Sequence, residues 1–155
     1  MTSTHLIRQA IVQAQLALAI NEVPIGAIVY HEPTDAIIGR GHNRREIDQD
    51  PTAHAEILAL REASKQLNSW RLVDCVLAVT LEPCAMCAGA IVNARIGRLI
   101  YGCSDPKAGA VRTLYQICED QRLNHRVIVE ENILADDCAN LLTNFFRVQR
   151  ALGKK

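Results

Sequence analysis

Apolar residues recur along the chain with two different periods, and the alternation between them outlines a fold. In residues 6–20 apolar side chains stand at 7, 11, 12, 16, 18 and 20 with alanines between them. That spacing predicts a helix with a broad apolar face, which Ser3 or Thr4 can cap. Residues 24–30 form a short β-rich apolar run and predict a strand. Turn chemistry follows at residues 31–35, and residues 36–39 read as the second arm of a hairpin. Residues 41–52 read as a polar loop. A helix is expected over 53–67, with Ile57, Leu58, Leu60, Ala63 and Leu67 on its buried side. Strands are expected at 73–80, 98–101 and 127–129. A small-residue helix is expected at 84–93, and a loop at 102–110 with a short helix after it. Leu134, Cys138, Leu141, Leu142, Phe145 and Val148 mark the apolar stripe of a C-terminal helix. Helix, hairpin, then strands alternating with helices predict one mixed sheet of about five strands covered on both faces, a three-layer α/β/α domain.

Composition narrows the function classes. At 155 residues the chain suits a single domain, 1–155, with a core of its own. The apolar fraction is 49% and the charged fraction 22%, as in ordinary globular proteins. Lys+Arg and Asp+Glu both number 17, so a nucleic-acid partner would have to be met by a local basic patch. No apolar stretch is long enough to span a bilayer, and the N-terminus lacks the pattern of a signal peptide. A cytoplasmic location is therefore expected, with the six cysteines reduced. Cys75, Cys103, Cys118 and Cys138 read as core filling.

Two short runs carry chemistry. His54-Ala55-Glu56 opens one predicted helix, and Pro83-Cys84-Ala85-Met86-Cys87 opens another. Two sulfurs three positions apart on a first helical turn point the same way and can clamp one soft metal ion. Helix N-terminal amides favour the thiolate over the thiol. One imidazole completes three protein ligands. No convincing fourth stands near either run, and an open position marks a catalytic zinc site that activates a water rather than a closed structural one. In a continuous helix Glu56 would diverge from His54 by roughly 200°, so it is read as a proton carrier beside the metal and not as a ligand. A lone Cys-x-x-Cys is a weak signal that a redox pair or two core residues can produce. The two runs together form the signature of zinc nucleobase deaminases.

With those residues in view, the chain resembles the bacterial tRNA adenosine deaminases, which share the cytidine deaminase fold. The likeness covers nearly the whole chain. It is carried by Glu22-Val23-Pro24-Ile25-Gly26-Ala27, Gly41-His42-Asn43-Arg44 and residues 50–56, then by residues 80–90, 105–110 and 123–127, and near the end by Phe145-Phe146-Arg147. It implies zinc held by His54, Cys84 and Cys87, with Glu56 as proton shuttle. It further implies conversion of adenosine to inosine at the first anticodon position of a tRNA anticodon stem-loop, and a homodimer. Asn43 resembles the residue that hydrogen-bonds the flipped base, and Asp105 and Lys107 fall in a loop that contacts the nucleotide backbone. A departure stands at Val111-Arg112-Thr113, where the family often has Gly-Ser; it adds a charge, Arg112, that can meet phosphate.

Read from the residues alone, the case for RNA is thinner. Arg147, Arg150, Lys154 and Lys155 gather near Phe145 and Phe146. Phe145 lies on the apolar stripe and reads as core, while Phe146, about 100° away, is free to stack on a base. His42, beside Asn43, can line the pocket but reads more simply as a solvated loop residue. A deaminase of a free base or nucleoside, such as cytosine or guanine, has the same site chemistry. A non-catalytic RNA-binding partner subunit would need no Glu56.

Overall fold

A computed structural model describes residues 1–154. Its order is α1 (Ser3–Ala19), β1 (Gly26–His31), a 3-10 turn (Glu32–Thr34), β2 (Ala36–His42), α2 (Ala55–Leu67), β3 (Cys75–Leu81), α3 (Ala85–Asn93), β4 (Arg98–Cys103), a second 3-10 turn (Ile117–Glu119), β5 (Ile128–Glu130) and α4 (Ala135–Ala151). The five strands make one sheet in the order β2-β1-β3-β4-β5. The β1 strand pairs antiparallel with β2 and β3, whereas β3–β4 and β4–β5 are parallel. This is the expected mixed sheet with helices on both faces.

Strand side chains divide between the faces with period two. Ala27, Val29, Leu77, Val79, Leu99 and Tyr101 pack with α2 and α3, whereas Ile28, Tyr30, Val76, Ala78 and Ile100 pack with α1 and α4. Because both faces are covered, the central strands β1, β3 and β4 are almost continuously buried and read as unbroken apolar runs.

Several boundaries differ from the sequence reading. Thr2, not Ser3 or Thr4, caps α1, its hydroxyl accepting from the His5 N–H at 3.1 Å. The β2 strand runs on through Gly41 and His42, which read as loop because glycine and histidine carry no strand preference. Gly41 is needed there for a different reason: a Cβ would stand 2.2 Å from the carbonyl oxygen of Ala55, so the first turn of α2 rests directly on the strand. The α2 and α3 helices each begin later than expected, with His54 and Cys84 as extended N-cap residues.

Strand direction brings the two motifs together. Since β1 runs antiparallel to both β2 and β3, those two strands point the same way. The helix after each packs on the same face and starts at the same end of the sheet. His54 enters α2 and Cys84 enters α3, side by side outside the carboxyl ends of the strands, where open α/β sheets bind ligands.

Candidate metal and active site

His54 Nδ1 lies 3.6 Å from the Cys84 sulfur and 3.5 Å from the Cys87 sulfur, and all three ligand atoms fall within 4.8 Å of one another. A tetrahedral zinc ion with bonds of about 2.3 Å to sulfur and about 2.0 Å to nitrogen holds such atoms about 3.5 Å apart. Donor set and spacing therefore both fit zinc, with Nδ1 as the coordinating ring atom. Among the described residues this is the only cluster of three or more His, Cys, Asp or Glu side chains arranged to hold a metal ion. Its electrostatics also call for a cation. The Cys84 thiol is held down at about 4, first by its bond with Cys87 and then, against burial, by His54. Cys87 is pushed up, chiefly because it keeps the proton of that shared bond. Two sulfurs and a carboxylate in so small a half-buried space are relieved by a divalent ion.

Glu56 is 4% exposed and stands outside the ligand triad. Burial pushes its carboxyl up to about 7. Its separation from His54 does not come from a continuous helix. In the fold, separation arises because His54 is extended (φ −82°, ψ 152°) while Glu56 lies inside the first turn of α2.

His54, Glu56 and Cys84 open onto a cavity of about 260 Å³. Val23 and Ile25 give it apolar walls, and Asn43, Arg45, Asp105 and Phe146 line it as well. Asn43 is buried and oriented by its own chain: its Nδ2 donates to the Val23 carbonyl at 3.3 Å and its Oδ1 accepts from the Arg45 N–H at 3.0 Å. One N–H and one lone pair of the amide remain for a ligand. Phe145 is buried and Phe146 half-exposed at the cavity, the division the helical stripe predicts; the rings meet edge to face at 5.4 Å.

Lys107 does not line this cavity. It lines an adjoining groove of about 530 Å³, together with Arg150, that shares Val23, Leu81, Asp105 and Phe146 with the first. His42 is absent from both linings. Arg112 is committed elsewhere: its guanidinium pairs with Glu119 at 3.0 Å and Glu131 at 3.2 Å, so it does not stand free for a phosphate. Lys155 lies outside the described residues.

The sequence reading passed over Arg45 and Glu82. Arg45 was one of several loop charges with nothing to single it out. Glu82 is 2% exposed and lines the cavity from behind. Burial pushes its carboxyl up, but the Thr113 hydroxyl and the N–H groups of Arg112, Asp105 and Thr113 outweigh this and hold it below the ordinary carboxylate range. An acid directly after a buried strand was the available signal.

Known proteins give the site a family. The family model for MafB19-like deaminases matches residues 1–150. A tRNA-specific adenosine deaminase of Streptococcus pyogenes serotype M1 is 48% identical over 151 residues, covering 97% of this chain and 87% of the relative. One from Bacillus subtilis strain 168 is 43% identical over 155 residues, covering 99% and 95%. A structure solved in a study of A-to-I editing by tRNA:A34 deaminases at the wobble position of transfer RNA superposes with a TM-score of 0.84 at 41% identity, covering 90% of this chain and 99% of the other. The chain belongs to the MafB19-like deaminase family, among the tRNA-specific adenosine deaminases.

Proposed function

We propose that this protein converts adenosine to inosine at the wobble position of a tRNA, with His54, Cys84 and Cys87 holding one zinc ion and Glu56 moving the protons. The observation that carries this reading is a set of three zinc-type donors at zinc spacing, two of which, His54 and Cys84, line one cavity with a buried carboxylate. When bound, zinc supplies an activated water as nucleophile and leaves the rest of the chemistry to the protein.

Glu56 takes a proton from the attacking water and gives it to a purine ring nitrogen. It then passes the second water proton to the departing amine, so that ammonia leaves and a carbonyl remains at the attacked carbon. A carboxyl pushed up to about 7 by burial can hold and release a proton near neutrality. Asn43, with its amide already oriented, offers one donor and one acceptor to the edge of an inserted base. The apolar pair Val23 and Ile25 shields the ring faces. The cavity takes the target base, and neighbouring nucleotides of the strand lie outside it. The adjoining groove supplies what they require: Lys107 and Arg150 for phosphates and Phe146 for stacking. A free base in the cavity would leave Lys107 and Arg150 unused, which is why we prefer RNA over a free-base substrate. A cytoplasmic setting and a homodimer belong to the same proposal. Among the described residues no helix is long and apolar enough to cross a membrane.

The test is turnover by zinc-loaded protein of an anticodon stem-loop carrying adenosine at the first anticodon position, beside free adenosine, cytosine and guanine, with products read by mass spectrometry. Inosine in the stem-loop and no conversion of the free compounds is expected. Conversion of a free base with the stem-loop untouched would overturn the RNA assignment.

A further inference from the structure

The deamination chemistry makes no use of Glu82, yet its carboxylate is among the most fully bonded groups in the molecule. Its Oε1 accepts from the Asp105 N–H at 3.1 Å and from the Thr113 hydroxyl at 2.5 Å. Its Oε2 accepts from the N–H groups of Val111, Arg112 and Thr113 at 3.1, 2.9 and 3.0 Å. All five partners are donors and four are backbone. None of the ion pairs among the described residues involves Glu82. Its charge is instead balanced by amide dipoles converging from residues 105–113, as in a backbone anion nest.

The chain wraps this carboxylate closely. A Cβ on Gly109 would stand 2.4 Å from Glu82 Oε1, so any larger residue would push the segment off the carboxylate. Two backbone bonds continue the seam, from Glu82 N–H to the Cys103 carbonyl and from Ala110 N–H to the Pro83 carbonyl, both 2.9 Å. The same segment sends Asp105 and Ala108 into the cavity wall. In the other direction along the chain, two residues on, is Cys84.

We propose that Glu82 is a positioning residue that sets the substrate-facing wall of the cavity against the metal-ligating end of β3. Four backbone amides and one hydroxyl, gathered on a single buried carboxylate, lock residues 105–113 in register with Cys84. The proposal rests on the reading of this cavity as the nucleobase site. Loosening the lock weakens substrate binding, because Asp105 and Ala108 no longer hold their places. Proton transfer through Glu56 and the His54-Cys84-Cys87 cluster stay as they are, since none of their hydrogen bonds reaches residues 105–113.

Thr113→Val removes one donor from Glu82 and Thr113→Ser keeps it; Glu82→Gln keeps the volume but turns an amide NH2 toward N–H donors. Each zinc-loaded variant is read for zinc content, for amide hydrogen exchange at residues 105 and 111–113 without substrate, and for kcat and KM on the stem-loop. Thr113→Val is expected to raise KM about tenfold, as befits a lost bond to a buried charged group, with kcat and zinc content unchanged and faster exchange at Val111 and Arg112. Thr113→Ser should match the parent, and Glu82→Gln should show the fastest exchange with zinc still bound. An unaltered KM in Thr113→Val, equal impairment in Thr113→Ser, or a loss confined to kcat that tracks zinc loss would overturn the proposal. Should the parent enzyme deaminate only a free base, the RNA assignment falls, and the KM comparison is made on that base with the same criteria.

Discussion

Glu56 shows how one side chain's environment decides its role. A glutamate in water near neutrality is a fixed negative charge and a poor proton carrier. Buried at the first turn of α2, beside the metal ligands but outside their triad, it is pushed up to about 7. Glu56→Gln keeps the volume and removes the exchangeable proton, so deamination should fall about 10²–10⁴-fold, the usual contribution of a general acid–base. Zinc content and melting temperature should hold. A variant with full activity would remove Glu56 from the mechanism, and one that loses zinc would make it a ligand. At this scale the grouping of His54, Cys84 and Cys87, with Glu56 close by, was legible because metal chemistry needs fixed residue types at fixed spacings. Glu82 was not: its partners are backbone amides 23 to 31 positions downstream, and a backbone amide leaves no mark on residue identity.

Between elements, the site depends on how closely α2 approaches β2. The helix start carries His54 and Glu56, and the Ala55 carbonyl oxygen lies 2.2 Å from where a Cβ on Gly41 would stand. Gly41→Ala forces the helix outward at the end that bears the chemistry. Overpacking of this kind costs about 1–3 kcal/mol, a fall in melting temperature of roughly 3–10 °C for a chain of this size. Because the displaced turn carries His54, a proposed metal ligand, zinc affinity should fall with it. A competition titration against a chelator checks this, and unchanged affinity with a lowered melting temperature would mean that the strain spreads away from His54. Element types and order were legible throughout, since apolar period distinguishes buried helix from buried strand. The ends were not. Gly41 and His42 look like loop because close packing of a helix on a strand demands a missing side chain, and glycine alone does not tell packing from a turn.

Over the whole molecule, the equality of 17 basic and 17 acidic residues removes any general attraction to RNA. Attraction must come from where the cations sit. Arg112, the charge that departs from the family pattern, is neutralised by Glu119 and Glu131. Lys107 and Arg150 line the groove that leads from the cavity and have no carboxylate partner among the described ion pairs. Each phosphate contact on a single strand releases counterions and adds about 0.7 to the slope of log affinity against log salt. Arg150→Gln should therefore weaken stem-loop binding most at low salt and flatten that slope by about 0.7, with kcat at saturating substrate unchanged. Arg112→Gln should leave the slope as it was. Fluorescence anisotropy with a labelled stem-loop across a salt series distinguishes them. A slope indifferent to Arg150 but sensitive to Arg112 would place the RNA on the side of the molecule that carries Glu119 and Glu131, away from the groove. On the proposed reading, the groove shares Val23, Leu81, Asp105 and Phe146 with the cavity that His54, Glu56 and Cys84 line, so a strand held by Lys107 and Arg150 would bring its base to them.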